Sequence, residues 1–238
     1  MSRSVSPVDQ PLPASQDRAA WPGVYSAIGV FVCFEGGDGS GKSTQSRLLG
    51  EWLRAEGYPV VQTFEPGDTE VGRQVRRIVL DPATGELSDR TETLLYAADK
   101  AEHVHVVISP ALARGEVVIT DRYVDSTLAY QGVGRPLALA EVEHVARWAT
   151  GDLRPHLTVV LDLEPSQALG RFAERDRIEG ESVAFHTRVR RAFLTLAATD
   201  PAHYLVIDAR APMAEVAAGI RERVAPLLGQ AVKTMVSP

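Results

Sequence analysis

The chain has little of several features that mark particular classes of protein. A single cysteine, Cys33, stands among its 238 residues, so no internal disulfide can form, and this usage is typical of a reducing compartment. No apolar run approaches the roughly 18 residues of a membrane-spanning helix. The N-terminus also has no apolar segment of the kind found in secretion signals. The sequence therefore predicts a cytoplasmic protein that does not bind a membrane.

The chain also has fewer positively charged than negatively charged residues. There are 25 Lys and Arg against 31 Asp and Glu, and the formal net charge is −6. This balance predicts no nucleic-acid partner, so clusters of arginine are better explained by a small anionic ligand. Apolar residues, by contrast, make up 45% of the chain, which is enough for the core of one large α/β domain. Two domains are possible but not required.

A glycine-rich segment follows the first apolar run. Residues 36–43 read Gly-Gly-Asp-Gly-Ser-Gly-Lys-Ser and fit the phosphate-loop pattern G-x-x-x-x-G-K-S. A strand is predicted just before it and a helix just after, so backbone N–H groups at the helix N-terminus would form a nest for phosphate oxygens. The sequence therefore predicts a bound nucleoside triphosphate. The residues predicted to hold it are Gly36, Gly37, Asp38, Gly39, Ser40, Gly41, Lys42, Ser43 and Thr44.

Three of the candidate residues would serve the phosphates and a metal ion. Lys42 places a positive charge near the β and γ phosphates, and the Ser43 hydroxyl is placed to hold Mg²⁺. Asp121 directly follows a short apolar strand, where its carboxylate could reach the same ion directly or through water. Ser43 and Asp121 are thus the predicted magnesium ligands, with a turn or cap role as the alternative for Asp121.

Strands alternate with helices along the chain. Apolar runs predict strands at 30–34, 59–64, 117–120, 157–162 and 204–207, and residues 89–113 form either one long helix, with Asp89 as its cap, or two in series. This order predicts a three-layer P-loop α/β fold, in which a five-stranded parallel sheet is flanked by helices. Residues 1–27 are predicted to be a flexible extension, 28–230 the P-loop domain and 231–238 a tail.

Arginines recur in three places close to the predicted strand ends or before the last helices. They are Arg73, Arg76 and Arg77, then Arg122, and then Arg171, Arg175 and Arg177. Lys42 already serves a triphosphate, so Arg122 indicates that a second phosphate is held. Transfer between two nucleotides concentrates negative charge in one cleft and needs several cations around it. For any single arginine a solvated helix face is the alternative, but three clusters together favour a two-nucleotide site.

Several separate motifs resemble the bacterial thymidylate kinases, a group of nucleoside monophosphate kinases. They are Phe-Glu-Gly-Gly-Asp-Gly-Ser-Gly-Lys-Ser-Thr at 34–44, Glu-Pro-Gly at 65–67, Asp-Arg-Tyr-Val-Asp-Ser at 121–126 with Ala-Tyr-Gln-Gly at 129–132, and Asp-Arg-Ile-Glu at 176–179. The resemblance extends from about residue 31 to 228. It implies phosphorylation of dTMP to dTDP with ATP and Mg²⁺, a short lid at about 172–182, and a homodimer.

The resemblance also implies roles for single residues. Arg76 and Arg122 would hold the phosphate of dTMP, Tyr96 would stack on thymine, and Tyr130 would crowd the 2′ position of the sugar. Lid arginines would reach the transferring phosphate, so the predicted catalytic residues are Lys42, Arg122, Arg175 and Arg177. The predicted dTMP-binding residues are Asp38, Glu65, Pro66, Arg76, Tyr96, Lys100, Arg122, Thr127, Tyr130 and Gln131.

The chain departs from the family pattern at two positions. Asp68 stands where the family usually has glycine, and Lys100 stands where it commonly has arginine. Lysine cannot make a planar bidentate contact, so base selectivity is open. Three other functions also remain open at this point: a regulator that hydrolyses its nucleotide, a non-catalytic nucleotide-binding protein, and a kinase for another nucleoside monophosphate or for a nucleoside.

Overall fold

A computed structural model describes residues 23–168 and 176–231. The strands are β1 (Val30–Glu35), β2 (Val60–Phe64), β3 (Val117–Asp121), β4 (Leu157–Asp162) and β5 (Tyr204–Asp208). The α-helices are α1 (Lys42–Ala55), α2 (Glu70–Leu80), α3 (Asp89–His103), α4 (Ser109–Ala113), α5 (Val124–Thr127), α6 (Leu139–Thr150), α7 (Pro165–Ala168), α8 (Val183–Thr199) and α9 (Met213–Val224). None of the helices in these ranges is both long and apolar enough to cross a membrane.

The five strands form one sheet in the order β2-β3-β1-β4-β5, and every neighbouring pair is parallel. β1 lies in the centre, and all six of its residues are buried. Parallel strands bring their carboxyl ends to one edge, so the segments after β1, β2 and β3 meet there. The predicted α/β fold with a five-stranded parallel sheet is confirmed.

Helices cover both faces of the sheet, because side chains of β1 alternate between two apolar cores. Val30, Val32 and Phe34 pack with α1 and α9 on one face. Phe31 and Cys33 pack on the opposite face with residues of α4, α6 and α8. Cys33 is buried, as a core-filling side chain is expected to be. These two cores make the three layers.

The long helical stretch at 89–113 is continuous but not regular. α3 runs into a π-helical turn at Val104–Ile108, and α4 follows with Pro110 in its first turn. The wider turn precedes the proline, which has no N–H to give to the helix. Ser88 caps α3 through its side-chain oxygen, which accepts from the Thr91 N–H, so the prediction of Asp89 as the cap was wrong. Asp89 is instead the first helical residue.

The described chain begins with a segment that contacts the domain. Val24 forms a parallel bridge with Leu153, and its N–H donates to the Asp152 carbonyl at 2.8 Å. Tyr25 stacks on His203 with ring centroids 4.8 Å apart. Residues from 23 onward therefore pack against the domain. The rest of the predicted extension, the tail from residue 232, and residues 169–175, which include the first part of the predicted lid, lie outside the described ranges.

Candidate active site

The phosphate loop joins β1 to α1 and depends on glycine backbone conformations. Gly36 has a φ of 131°, and a Cβ there would lie 2.5 Å from the carbonyl oxygen of Leu161. Gly41 has a φ of 94° and stands immediately before the 14-residue helix α1, which has no side-chain cap. The free N–H groups of that first turn and the positive end of the helix face the loop. This is the local structure that the glycine pattern predicts for a phosphate-binding site.

Lys42 and Ser43 stand where the loop enters α1. The Lys42 ammonium donates to the carbonyl oxygens of Gly36 and Gly37 at 3.1 and 2.9 Å. Burial lowers the pKa of Lys42, and the nearby charge of Arg122 adds to this. The lysine is therefore held directly across the loop, where a phosphate would meet it.

The two predicted magnesium ligands are in contact. The Ser43 hydroxyl donates to Asp121 Oδ2 at 2.7 Å, because the pairing of β1 with β3 places Asp121 beside the start of the loop. A hydroxyl and a carboxylate are the oxygen donors that Mg²⁺ prefers. Over the described ranges, no group of three or more His, Cys, Asp or Glu side chains could hold a metal ion. A magnesium ion here would complete its coordination with water and substrate oxygens.

Arg122 reaches from the end of β3 over the phosphate loop. Its backbone has a positive φ of 72°, and its N–H donates to the Phe34 carbonyl at 2.9 Å. The guanidinium pairs with Asp38, donates to Ser126 Oγ at 3.1 Å, and lies 5.2 Å from the centre of the Tyr130 ring. A left-handed conformation at a non-glycine residue is uncommon and is often found at functional sites.

Asp38 links the phosphate loop to this arginine. Burial acts to raise the pKa of the Asp38 carboxyl, but the positive charges of Arg122 and Lys42 outweigh it and hold that pKa below its usual value. The carboxyl is therefore ionised at neutral pH. The Tyr130 hydroxyl lies 3.4 Å from its second oxygen. Asp38 thus sits between the loop and the neighbouring cleft.

All ten residues predicted to bind dTMP line one cleft beside the loop. They are Asp38, Glu65, Pro66, Arg76, Tyr96, Lys100, Arg122, Thr127, Tyr130 and Gln131. Five residues that sequence reasoning did not assign to substrate complete the lining: Leu80, Ser126, Asp176, Ile178 and Glu179. The chain therefore brings its predicted acceptor residues together from the ends of two strands, two helices and the segment after β3.

Lys100 is engaged inside the protein. Its ammonium lies 2.9 Å from Glu65 Oε2, while His103 Nδ1 lies 2.8 Å from the other oxygen of Glu65. Burial opposes ionisation of Glu65, but Lys100 and His103 hold its pKa below the usual value. Asp68, the other departure from the family pattern, contacts the Thr63 hydroxyl, which also contacts His103. Both unusual residues therefore belong to one chain of polar contacts.

A π-helical turn at Leu128–Val133 shapes another wall of the cleft. It turns Tyr130 and Gln131 inward together, and Gln131 donates to Glu92 at 2.9 Å. Thr127, just before the turn, has a buried hydroxyl with no hydrogen-bond partner among the described residues. A buried hydroxyl normally finds a partner, so this one is suited to a polar ligand atom.

Glu92 on α3 forms ion pairs with two arginines on the side of the cleft where the lid is predicted. Arg177 pairs with it and also donates from Nε to the Val79 carbonyl at 2.8 Å. Arg135 contacts Glu92 at 3.2 Å and Glu181 at 2.5 Å. The structure thus places Arg177 on a carboxylate rather than beside the phosphate loop. A role at the transferring phosphate would require Arg177 to leave Glu92, and Arg175 lies outside the described residues.

Sequence reasoning missed Glu35, Glu92 and Ser126. Glu35 is the last residue of a fully buried strand and accepts hydrogen bonds from the Tyr123 and Ser126 N–H groups. A carboxylate at the end of an apolar run, directly before the glycine loop, was the one available signal. Glu92 gave none, because its arginine and glutamine partners are far away in sequence, and the bond of Ser126 to Glu35 spans 91 positions.

A phosphate loop at the edge of a five-stranded parallel sheet, with a cleft lined by arginines beside it, defines a P-loop phosphotransferase with room for a second phosphorylated substrate. A family model described as thymidylate kinase matches residues 34–220. The chain belongs to the thymidylate kinase family.

Similar proteins and a solved structure agree with this assignment. A thymidylate kinase of Cutibacterium acnes is 53% identical over 202 residues, covering 85% of this chain and 99% of that protein. One from Clavibacter michiganensis is 52% identical and covers 84% of this chain and 96% of that protein. The crystal structure of thymidylate kinase from Ehrlichia chaffeensis has a TM-score of 0.70 at 30% identity, covering 83% of this chain and 99% of that one.

Proposed function

We propose that this chain performs the reaction of its family, the phosphorylation of dTMP to dTDP, with MgATP as the donor. The observation that carries the proposal is the contact between the two halves of the site. Asp38 of the phosphate loop pairs with Arg122 of the neighbouring cleft. A triphosphate on the loop and a monophosphate on Arg122 would therefore lie next to each other.

The donor half would bind ATP through the loop N–H groups and Lys42. These donors are fixed by the fold before substrate arrives, so they need little reorganisation. Ser43 and Asp121 would hold magnesium, which when bound neutralises charge on the phosphate oxygens. The chain's own contribution is to present the γ phosphate along one line to the acceptor.

The acceptor half would hold the 5′-phosphate of dTMP on Arg76 and Arg122. Arg76 lines the cleft and is steadied by a bond of 2.8 Å from its Nη1 to the Pro66 carbonyl. The attacking phosphate oxygen is already ionised, so no side chain has to remove a proton. The residues act by positioning and by stabilising charge in an in-line transfer without a covalent intermediate.

The base would lie against Tyr96, with Thr127, Gln131 and Lys100 at its edge. The unpartnered Thr127 hydroxyl supports this orientation. Because Lys100 is paired with Glu65, it offers a base carbonyl only the hydrogens left over from that contact. Asp176, Ile178 and Glu179 would close over the cleft and exclude water, which otherwise competes as an acceptor.

The family resemblance also supports a homodimer and a cytoplasmic location, which we propose on that ground. An exposed apolar side chain, Leu94 on α3, supplies apolar surface for such a contact. Sedimentation of the purified chain would report a mass of two copies, and a monomer at micromolar concentration would overturn the dimer proposal.

A panel of acceptors tests the proposed reaction. ADP release from MgATP is measured in a coupled assay with dTMP, dUMP, dCMP, dAMP and dGMP, and a Lys42→Met variant serves as the inactive control. We expect dTMP to give the highest kcat/KM. If another monophosphate is better, the chain is a kinase for that nucleotide. If no monophosphate stimulates ADP release, the proposed reaction is wrong.

A further inference from the structure

Glu35 is a buried carboxylate to which the proposed reaction gives no role. It is the last residue of β1, stands next to Gly36 of the phosphate loop, and is 0% exposed. Placing a carboxylate in a protein interior costs free energy unless several donors surround it. A carboxylate buried at this point therefore requires hydrogen-bond donors around it.

The N–H and O–H groups that donate to Glu35 come from one short segment. Glu35 Oε1 accepts from the Tyr123 N–H at 2.9 Å and the Ser126 N–H at 3.0 Å, and Oε2 accepts from the Ser126 hydroxyl at 2.6 Å. These three donors belong to the turn that begins immediately after Arg122, while the Cys33 thiol of β1 lies 3.8 Å from Oε1. The carboxylate thus fastens that turn to the central strand of the sheet.

The turn needs fastening because Arg122 has a left-handed backbone. Its N–H is bound to the Phe34 carbonyl, and its own carbonyl accepts from the Thr120 hydroxyl at 2.9 Å. A non-glycine residue in this conformation is held there by its surroundings rather than by its own preference. Phe34 fixes one side of Arg122, and Glu35 fixes the other.

The side chains continue the same connection. Ser126 has a single hydroxyl hydrogen, and because it is given to Glu35, the lone pairs of Ser126 Oγ are free to accept from Arg122 Nη1 at 3.1 Å. The guanidinium then pairs with Asp38 at the edge of the loop. A continuous path therefore runs from Glu35 through Ser126 and Arg122 to Asp38.

We propose that Glu35 is a positioning residue whose carboxylate, acting through Ser126, sets the Arg122 guanidinium in the geometry that receives the acceptor phosphate. This inference rests on the proposed function, because it takes Arg122 to be the acceptor arginine. Glu35 itself contacts no substrate. It shapes the acceptor half of the site from the strand that carries the donor half.

The charge state of Glu35 gives this role a measurable signature. Burial, followed by the nearby Asp125, raises the pKa of Glu35 to about 7, and Arg122 and the bonds from Ser126 and Tyr123 act against that rise. A protonated Glu35 would itself donate to Ser126 Oγ and compete with Arg122 for it. The hold on Arg122 therefore weakens as pH falls through about 7.

Other ionisable groups face the same region. Cys33 lies on β1, Lys42 on α1, and Tyr204 on β5, and each senses the charge of Glu35. The pKa values of Cys33 and Tyr204 are raised by burial first, so both stay neutral around pH 7. Burial and the charge of Arg122 lower the pKa of Lys42, and the charges of Asp38, Asp121 and Glu35 act against this. Glu35 therefore has its pKa within this range.

The test compares Glu35→Gln and Ser126→Ala with Arg122→Ala. For each, kcat/KM for dTMP and KM for ATP are measured at pH 8, after circular dichroism has shown a folded protein. We expect Glu35→Gln and Ser126→Ala each to lose about ten- to a hundredfold in kcat/KM for dTMP, as for a lost hydrogen bond to a charged group. KM for ATP should stay within about twofold. Asp125→Asn is the matched control, since it changes another buried carboxylate of the same turn, one that accepts from the Tyr204 hydroxyl.

A pH series separates positioning from simple support of the fold. The dTMP phosphate also titrates near pH 6, so the informative quantity is the ratio of wild-type to Glu35→Gln kcat/KM. We expect this ratio to fall toward one as pH drops from about 8 to 6. Asp125→Asn should keep its activity at pH 8. The loss of Arg122 positioning should occur at lower pH in this variant than in wild type, because the substitution removes a charge that raises the pKa of Glu35.

The outcomes distinguish this inference from the proposed function. If wild type shows no dTMP-dependent turnover, or Arg122→Ala retains it fully, the proposed function fails. If Arg122→Ala is impaired but Ser126→Ala and Glu35→Gln keep wild-type kcat/KM for dTMP, the positioning role of Glu35 is wrong. Equal losses toward dTMP and ATP, or a ratio constant with pH, would also overturn it. If Glu35→Gln does not fold, Ser126→Ala decides alone: its kcat/KM for dTMP should fall while its KM for ATP stays within about twofold.

Discussion

The donor and acceptor halves of the cleft are built in different ways. The proposed donor half is mainly one continuous segment, residues 36–44, with its glycine backbone and the N-terminus of α1, joined by Asp121 through Ser43. The acceptor half is assembled from side chains that follow β2 and β3 or lie on α2 and α3, such as Glu65, Arg122, Arg76 and Tyr96. A local motif can be recognised in sequence, whereas an assembled surface depends on the whole fold.

The two halves also differ in how their charges are balanced. Lys42 donates to loop carbonyls, which are neutral. On the acceptor and lid side, three cations are paired with carboxylates, Arg122 with Asp38, Lys100 with Glu65, and Arg177 with Glu92, while Arg76 donates to the Pro66 carbonyl. Substitutions in the acceptor half should therefore change dTMP use and leave ATP binding largely intact. Substitutions in the loop should abolish the reaction whatever the acceptor.

The largest effect is expected from Lys42→Met. Loss of its charge at the transferring phosphate should lower kcat at least about 10²- to 10³-fold, the usual cost of removing one donor to a developing charge. ADP release at saturating ATP and dTMP measures it. A fall of less than about tenfold would show that the loop N–H groups suffice without the lysine.

Lys100→Met is the matched change in the acceptor half, since it removes another buried lysine. We expect a higher KM for dTMP with KM for ATP unchanged, together with a less stable fold. Removing one partner of a buried ion pair leaves the other uncompensated, at a cost of about 3–5 kcal/mol. Chemical denaturation at pH 7 measures the stability. Equal effects on both substrates would break the distinction between the halves.

A stability effect of about 3 kcal/mol is expected at Glu35, where the halves meet. Its pKa is raised from an ordinary 4.5 to about 7, so the folded state binds more protons than the unfolded state between these values. The favourable contribution is present below about pH 4.5 and is lost as pH rises through about 7. Relative to Glu35→Gln, wild type should thus lose up to about 3 kcal/mol of unfolding free energy between pH 4 and 8. Parallel curves from urea denaturation would contradict this.

Much of the fold could be predicted from the sequence because apolar runs and helical periods are local. The buried run around Phe31 predicted β1, and a helix was predicted just after the glycine-rich segment 36–43; α1 begins two residues earlier than that, at Lys42. The cap of α3 was misassigned to Asp89, since neighbouring Ser88 and Asp89 are both good caps and only the backbone angles separate them. Nothing in the sequence indicated the π turn at Leu128–Val133, which depends on packing.

The candidate site divides in the same way. The phosphate-loop residues followed from their own pattern, and the ten acceptor residues came from the family resemblance and meet in one cleft. The contact of Arg177 with Glu92 could not be predicted, because these residues lie 85 positions apart and a charged helix face looks alike whether solvated or paired. Glu35 was passed over for a related reason. The role of a single acidic residue at a strand end can be assigned only when the turn that packs on it is known.

The division of the cleft is tested most directly by the kinetics of Arg122→Ala, with Arg73→Ala as the control. Arg73 is exposed and paired only with Glu70 among the described residues. For Arg122→Ala we expect kcat/KM for dTMP to fall about 10²- to 10³-fold while KM for ATP changes less than about threefold. Arg73→Ala should match wild type. Unchanged dTMP turnover in Arg122→Ala would contradict the assignment of Arg122 to the acceptor phosphate.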